Sequence, residues 1–261
     1  MSGPAITVRG LTAGFGRSVV LRDLSFTIRR GDIFVIMGGS GSGKSTLLRC
    51  LLGLEQPIGG EIWYGGDQLT GAPPERREQI LRRTGVLFQG GALFTSMTLA
   101  ENVGLPLEMH TDLEPGEIAG VVDLKLALVG LRDTGDLYPS QLSGGMQKRA
   151  GLARAMALDP EILFLDEPSA GLDPVSAQRL DELILELRRN LGTTVVLVTH
   201  ELDSIFKLAD DSIFLDGATG NAIARGAPRD LLVHASERKV IDFLTRGGEH
   251  RRAEGDDAQE G

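Results

Sequence analysis

Nine residues constrain this chain more than any others: Gly38, Gly39, Ser40, Gly41, Ser42, Gly43, Lys44, Ser45 and Thr46. They fit the pattern G-x-x-x-x-G-K-[ST], with Gly38, Gly43, Lys44 and Ser45 at its fixed positions. The apolar run Ile33-Phe34-Val35-Ile36-Met37 comes immediately before, and Leu47, Leu48, Leu51 and Leu52 follow at helical spacing. The order is therefore strand, glycine-rich loop, helix. In that context the glycines let backbone N–H groups turn inward around an anion, and the helix N-terminus adds the positive end of its dipole. Lys44 is then expected to reach the β- and γ-phosphates of a nucleoside triphosphate, and Ser45 to hold Mg²⁺. Four fixed positions arise by chance in roughly one chain of this length in a hundred. A chain with 35 glycines also offers many glycine-rich surface turns. The flanking strand and helix separate a phosphate loop from such a turn.

Composition sets the frame for that loop. A chain of 261 residues, 41% of them hydrophobic, is expected to fold as one large domain or one domain with a lobe. Apolar runs stop at five or six residues, too short to span a bilayer, and the start has no charged-then-apolar signal pattern. The single Cys50 allows no internal disulfide framework and fits a reducing cytosol; its leucine neighbours give it a packing role. A net charge of −9 argues against a general nucleic-acid binder. Five of the 36 acidic residues lie after Gly247. That tail, 247–261, is charged, lacks large apolar residues and is expected to be disordered.

Residues 5–9 and 24–29 alternate apolar and polar, and Glu61-Ile62-Trp63-Tyr64 lies between glycine pairs. These read as antiparallel strands bracketing the loop. Phe15 sits in a Gly-Phe-Gly turn, where its ring could stack on a base or pack locally. Residues 75–83 read as a charged helix and Gly85–Phe88 as a short buried strand ending at Gln89-Gly90-Gly91. From Ser96 to about Leu137 the pattern is helical. Leu99, Val103 and Leu107 mark one face, and Ile118, Val121, Val122, Leu126 and Val129 another, punctuated by Pro106, Pro115 and Gly130. This is a helical insertion between parallel strands. Ser143 caps a further helix running to about Leu158. Ile162–Leu165, Thr194–Val198 and Ser212–Leu215 are buried strands. Residues 175–189 form an amphipathic helix stopped by Gly192, with Leu180, Leu183, Ile184 and Leu187 on one face. A helix starting at Thr199-His200-Glu201 and two short helices in 227–246 complete the reading. Strands alternating with helices imply right-handed βαβ units and a parallel sheet.

Polar groups recur at the carboxyl ends of these strands: the phosphate loop after one, Gln89 after a second, Asp166-Glu167 after a third, His200 after a fourth. In open α/β sheets that edge binds ligands. Asp166 is placed to meet Mg²⁺, and Glu167 to polarise an attacking water as general base. His200 could bond the γ-phosphate and orient Glu167; Gln89 could ligate Mg²⁺ or hold the lytic water. Standing alone, each has a bland reading: a strand-end carboxylate capping a turn, a surface histidine, an ordinary glutamine. Asp173-Pro174 is sufficiently explained as N-cap and N1 of a helix. Ser143-Gly144-Gly145 is a second helix start rich in N–H donors. A second anion-binding start, distant in sequence from the first, suggests a second nucleotide or one shared between two copies.

Together these segments resemble the nucleotide-binding subunit of ABC transporters over roughly residues 5–225. The loop resembles Walker A. Gln89 matches the Q-loop, Leu142–Met146 the signature, Ile162–Glu167 Walker B, Ser169–Pro174 the D-loop, His200 the switch histidine and Phe15 the aromatic A-loop position, where Tyr is commoner. The resemblance implies an α/β P-loop NTPase of RecA-like type, with a parallel-sheet core, an antiparallel β subdomain and a helical lobe at about 90–158, in an ATPase domain spanning 5–246. It implies ATP and Mg²⁺, the latter on Ser45, Gln89 and Asp166. It also implies a head-to-tail dimer in which residues 38–46 and Phe15 of one copy face Ser143, Gly144, Gly145 and Asp173 of the other. A membrane permease would grip the chain near Gln89 and the lobe, placing it on the cytoplasmic face of the inner membrane. Met146 stands where Gln is usual and Gly39 where many relatives have Pro; neither removes a phosphate contact. Phe88–Phe94, Leu142–Arg149 and Thr199–Ile205 resemble the ATPases of MCE-associated, Mla-type phospholipid transporters. An MCE-domain protein and a small cytoplasmic subunit are then expected partners. In that subgroup the C-terminal extension can embrace the opposite ATPase, so 227–246 could do so or cap its own lobe. Transport of a polar solute is the alternative. A soluble ABC ATPase of DNA repair would need a longer coiled-coil insertion than 90–141 allows, and a ribosomal one would need two cassettes. A regulatory protein without turnover would not need Glu167 and His200.

Overall fold

A computed structural model describes residues 3–16 and 18–245; the expected tail at 247–261 lies outside the described residues. Strands β1 (Ile6–Phe15) and β2 (Ser18–Ile28) pair antiparallel. β3 (Ile33–Gly38) leads through the glycine-rich loop into α1 (Lys44–Leu51). β4 (Gly59–Tyr64) and β5 (Asp67–Gln68) complete a four-stranded antiparallel sheet in the order β2-β1-β4-β5. After α2 (Pro74–Leu81) and β6 (Thr84–Leu87) comes the insertion: α3 (Leu99–His110), α4 (Pro115–Leu128) and α5 (Gly144–Ala155). Then follow β7 (Ile162–Asp166), α6 (Pro174–Leu191), β8 (Thr194–Val198), α7 (Leu202–Leu208), β9 (Asp211–Asp216), β10 (Asn221–Arg225), α8 (Pro228–His234) and α9 (Arg238–Leu244). The second sheet runs β10-β9-β3-β8-β7-β6, parallel except for β10.

Two cores lie on opposite faces of this second sheet, and strand alternation feeds both. In β3, Ile33, Val35 and Met37 join the core under α3–α8, whereas Phe34 and Ile36 join the core shared with α1 and the antiparallel sheet. β7 divides the same way, with Leu163 and Leu165 on one side and Ile162 and Phe164 on the other. Burial on both faces explains why these strands read as continuous apolar runs. It also leaves polar groups only at their ends.

Several local expectations are corrected. β1 and β2 are longer than expected, so Phe15 ends a strand, paired with Ser18, and is not in a turn. β10 had no sequence signal. α3 runs through Pro106. A mid-helix proline costs about 3 kcal/mol. The buried stripe Leu99, Val103 and Leu107 offsets that at about 1.5–3 kcal/mol each, and a Thr98–Glu101 capping box fixes the start. α5 ends at Ala155, short of Leu158. α7 begins at Leu202 with Glu201 at its N-cap, and Thr199 Oγ1 instead accepts the Glu201 N–H at 3.1 Å. α8 and α9 pack on their own chain: Phe243 meets Phe214 edge-on at 5.1 Å, and Lys239 pairs with Asp216 at 2.9 Å.

Candidate nucleotide site

Two of the loop's glycines, Gly38 and Gly43, are dictated by contact as well as by backbone. Gly38 has φ 149°, and a Cβ there would stand 2.5 Å from Leu215 O and from Ser42 Oγ. Gly43 has φ 96°, and its Cβ would lie 2.5 Å from Leu21 Cδ2, so the β1–β2 hairpin that carries Phe15 passes beside the loop. Gly43 is also the N-cap of α1 and gives that helix no side-chain cap. The first N–H groups of α1 are thereby left to face a ligand. Lys44 Nζ donates to Gly38 O (2.8 Å) and Gly39 O (2.9 Å), folding over the loop it serves. Burial lowers the Lys44 pKa, while Glu167 and Asp166 act against that shift. Ser42 Oγ is buried without a hydrogen-bond partner among the described residues.

The neighbouring strand ends assemble through sheet register. Ile36 of β3 stands beside Val198 of β8, which stands beside Asp166 of β7. Burial raises the Asp166 pKa, Glu167 adds to that, and Lys148, Arg49 and Lys44 oppose it. Glu167 adopts φ 47°, a left-handed conformation that costs a non-glycine residue of order 1 kcal/mol and clusters at functional sites. Its N–H is fixed to Val198 O at 2.8 Å. Its Oε1 lies 2.8 Å from His200 Nδ1, where the Nδ1–H tautomer donates to the carboxylate. Its Oε2 is buried and without a partner among the described residues. One oxygen of Glu167 is anchored and the other left over.

The expected residues thus fall into two groups. Residues 38–46, Asp166, Glu167 and His200 converge at the carboxyl edge of the sheet. Gln89 follows β6 at the same edge, exposed, with its carbonyl accepting from Lys148 Nζ. Phe15 is 45% exposed at the hairpin end, free to present its ring. Ser143, Gly144, Gly145 and Asp173 form the second group. Ser143 Oγ accepts the Met146 N–H at 3.3 Å, and Asp173 Oδ1 accepts from Val175 and Ser176. A Cβ on Gly144 would touch Leu172, and one on Gly145 would touch Ser176, so the two helix starts sit side by side. No hydrogen bond among the described residues joins this group to residues 38–46. Sequence reading missed Lys148. It lies one turn before Leu152 on the buried stripe of α5, and a lysine on a buried stripe was the available signal.

The residues fit the groups expected to bind here. A loop that has no room for a Cβ at Gly38 or Gly43, a helix start without a side-chain cap, a buried Ser42 hydroxyl and a lysine suit a polyphosphate. Among the described residues no three His, Cys, Asp or Glu gather into a preformed metal cage. Nucleotide-bound Mg²⁺ needs none, because it takes few protein oxygens beside phosphates and water; Ser45, Gln89 and Asp166 are the residues that would supply them.

Comparison with known proteins agrees. The ABC transporter family model matches residues 21–170. The ribonucleotide transport ATP-binding protein mkl of Mycobacterium tuberculosis, so named as probable, is 40% identical over 242 residues, 93% of this chain and 67% of its own length. The intermembrane phospholipid transport system ATP-binding protein MlaF of Escherichia coli K12 is 39% identical over 239 residues, 92% of this chain and 88% of its own. Among solved structures, the dimeric cassette MJ0796 in a post-hydrolysis state with ADP and Pi superposes with TM-score 0.77 at 29% identity, covering 85% of this chain and 98% of that one. CbiO1 of Clostridium perfringens superposes with TM-score 0.81 at 26% identity, covering 95% and 97%. With its family model over more than half of its length, relatives near 40% identical and a phosphate loop facing a held glutamate, the chain belongs to the ABC transporter family as an ATP-binding ATPase subunit.

Proposed function

We propose that this ATPase drives phospholipid transport between bacterial membranes. It would act as a head-to-tail homodimer on the cytoplasmic face of the inner membrane, bound to an integral permease and served by an MCE-domain protein and a small cytoplasmic subunit. No helix among the described residues is long and apolar enough to cross a membrane, so a permease would supply the spans. The observation that carries the mechanism is the Glu167–His200 pair. With Oε1 tied to His200, Oε2 is the oxygen that takes the proton of the attacking water. Lys44 swings from the Gly38 and Gly39 carbonyls to the phosphates. Ser45, Asp166 and Gln89 would hold Mg²⁺, which neutralises charge on the β- and γ-oxygens. Phe15 stacks on the base. Ser143, Gly144 and Gly145 of the second copy, with its Asp173, close over the same nucleotide. The permease docks in the cavity of about 630 Å³ between α2 and the lobe, lined by Arg77, Arg82, Pro106, His110 and Arg154.

Lipid cargo is favoured by the mutual coverage of 92% and 88% with MlaF, which is named for intermembrane phospholipid transport. The name of mkl supports the second reading, a polar solute. Purifying the tagged chain from gently solubilised membranes of its host separates the two. A multi-span permease with an MCE-domain protein and bound phospholipid is expected. A permease with a soluble solute-binding protein would move the cargo to a polar molecule. Recovery of no membrane protein would end the transport reading.

A further inference from the structure

The helix α5 carries a lysine where its packing face should be apolar. Lys148 is only 7% exposed. Burying an ammonium is costly unless it is paired and hydrogen-bonded. Desolvation pulls its pKa down, and the fields of Asp166 and Glu167 pull it up. Its Nζ donates to Gln89 O and lies 3.5 Å from Glu167 O. Both acceptors are main-chain carbonyls, and both belong to residues placed at the reacting phosphate. The Glu167 carbonyl is that of the left-handed residue described above.

The rest of α5 holds the same loop less directly. Arg154 Nη1 donates to Ala92 O at 2.7 Å and its Nη2 to Gly91 O at 3.3 Å, with the guanidinium 5.8 Å from the Phe94 ring. A Cβ on Gly151 would lie 2.9 Å from Gly91 O. Arg154 and Gly151 touch the loop but neither bonds the end of β7. Among the described residues Lys148 alone bonds both Gln89 and Glu167. Five residues before it, Ser143 starts the same helix.

We infer that Lys148 is a positioning residue for hydrolysis: it pins the Gln89 and Glu167 peptides to α5, so that the spacing of the two side chains follows the helix whose start faces the second copy. The inference rests on the catalytic reading of Glu167. A hydrogen-bonding cation is required because both partners are carbonyl oxygens. Methionine fills the same space and donates nothing. Arginine restores two donors.

The test is steady-state ATP hydrolysis by the purified chain, with nucleotide affinity measured separately, for wild type, Glu167→Gln, Lys148→Met and Lys148→Arg. A misplacement of about 1 Å at a reacting group costs up to about 10²-fold in rate. Lys148→Met is therefore expected to lower kcat about 10- to 100-fold with ATP affinity within about 3-fold of wild type, and Lys148→Arg to recover at least half of the lost rate constant on a logarithmic scale. Near-normal kcat in Lys148→Met, with Glu167→Gln inactive, overturns the inference and spares the catalytic reading. Equal losses of kcat and ATP affinity in both Lys148 variants, accompanied by a lowered melting temperature, reduce Lys148 to a packing residue and also overturn it. Normal turnover in Glu167→Gln removes the catalytic reading, and the inference with it.

Discussion

Two helix starts in this molecule look alike in sequence, each short, glycine-rich and bearing serine, yet they are finished differently. α1 opens on Gly43, left-handed and without a side-chain cap, with Lys44 at its first position. α5 opens on Ser143, extended, whose own hydroxyl accepts the Met146 N–H. A glycine N-cap is worth only a few tenths of a kcal/mol less to the helix than a serine N-cap. α1 recovers that from burial, since Leu47, Leu48 and Leu51 are almost fully enclosed. Its first N–H groups take no side-chain cap and are left open to an anion. The α5 start is satisfied as a helix terminus and sits at the surface beside Asp173, a cap that is equally self-sufficient. The first start is built around a ligand. In the proposed head-to-tail dimer, the second would meet a ligand held by the other copy.

The largest effect expected concerns neither start but the carboxylate between them. Glu167→Gln keeps the bond to His200 and removes the proposed base. Turnover should fall about 10²- to 10⁴-fold, while ATP still drives dimerisation because both starts are intact. Dimers measured by light scattering with ATP would confirm the division of labour, and monomers throughout would mean that Glu167 also shapes the clamp. Next comes the second start. Ser143→Arg places a bulky cation where, in the proposed dimer, the other copy's nucleotide would seat. Monomer affinity for ATP should change less than about 3-fold, whereas turnover should drop about 10²-fold and ATP-dependent dimers disappear. Equal loss of monomer ATP affinity would place Ser143 in its own chain's site and break the comparison.

The last effect is on stability alone, leaves both helix starts untouched and lies where α6 packs on α7. Asp181 of α6 is buried against Ser204 of α7, whose Oγ donates to both carboxylate oxygens at 3.0 Å. Burial, opposed by Ser204 and Lys207, raises its pKa from 3.8 to about 6. The folded state therefore binds a proton that the unfolded state releases between those values. This contribution is fully present below pH 3.8 and is lost as pH rises to about 6. Asp181→Asn imitates the protonated form and keeps an acceptor for Ser204. It should stabilise the fold by up to ~3 kcal/mol at pH 8 and by less at pH 5, read from denaturant midpoints. A gain equal at both pH values would show that charge burial is not the cause.

Much of this was legible in advance for identifiable reasons. Strands buried on both faces must be continuously apolar, so each run located a strand and each run's end located a polar group. Caps such as Ser143 and Asp173 are local chemistry and stand where expected. What escaped was what local chemistry does not encode. β10 is a short, largely exposed strand that exists because β9 offers it an edge. The start of α7 moved to Leu202 because Thr199 is fully buried at the strand end, its hydroxyl taken up by the Glu201 N–H.

The sequence by itself determined the phosphate loop, the alternation of strands and helices, and the residue types at each strand end. These rest on contacts within a few positions of the chain and on periodicity. The tertiary structure decided which ends are neighbours. His200 meets Glu167 across 33 residues, and Lys148 meets Gln89 across 59. Those pairings follow from the order β3-β8-β7-β6 and from the seating of α5. A period of two tells which face a side chain takes; only packing decides which strand lies beside it.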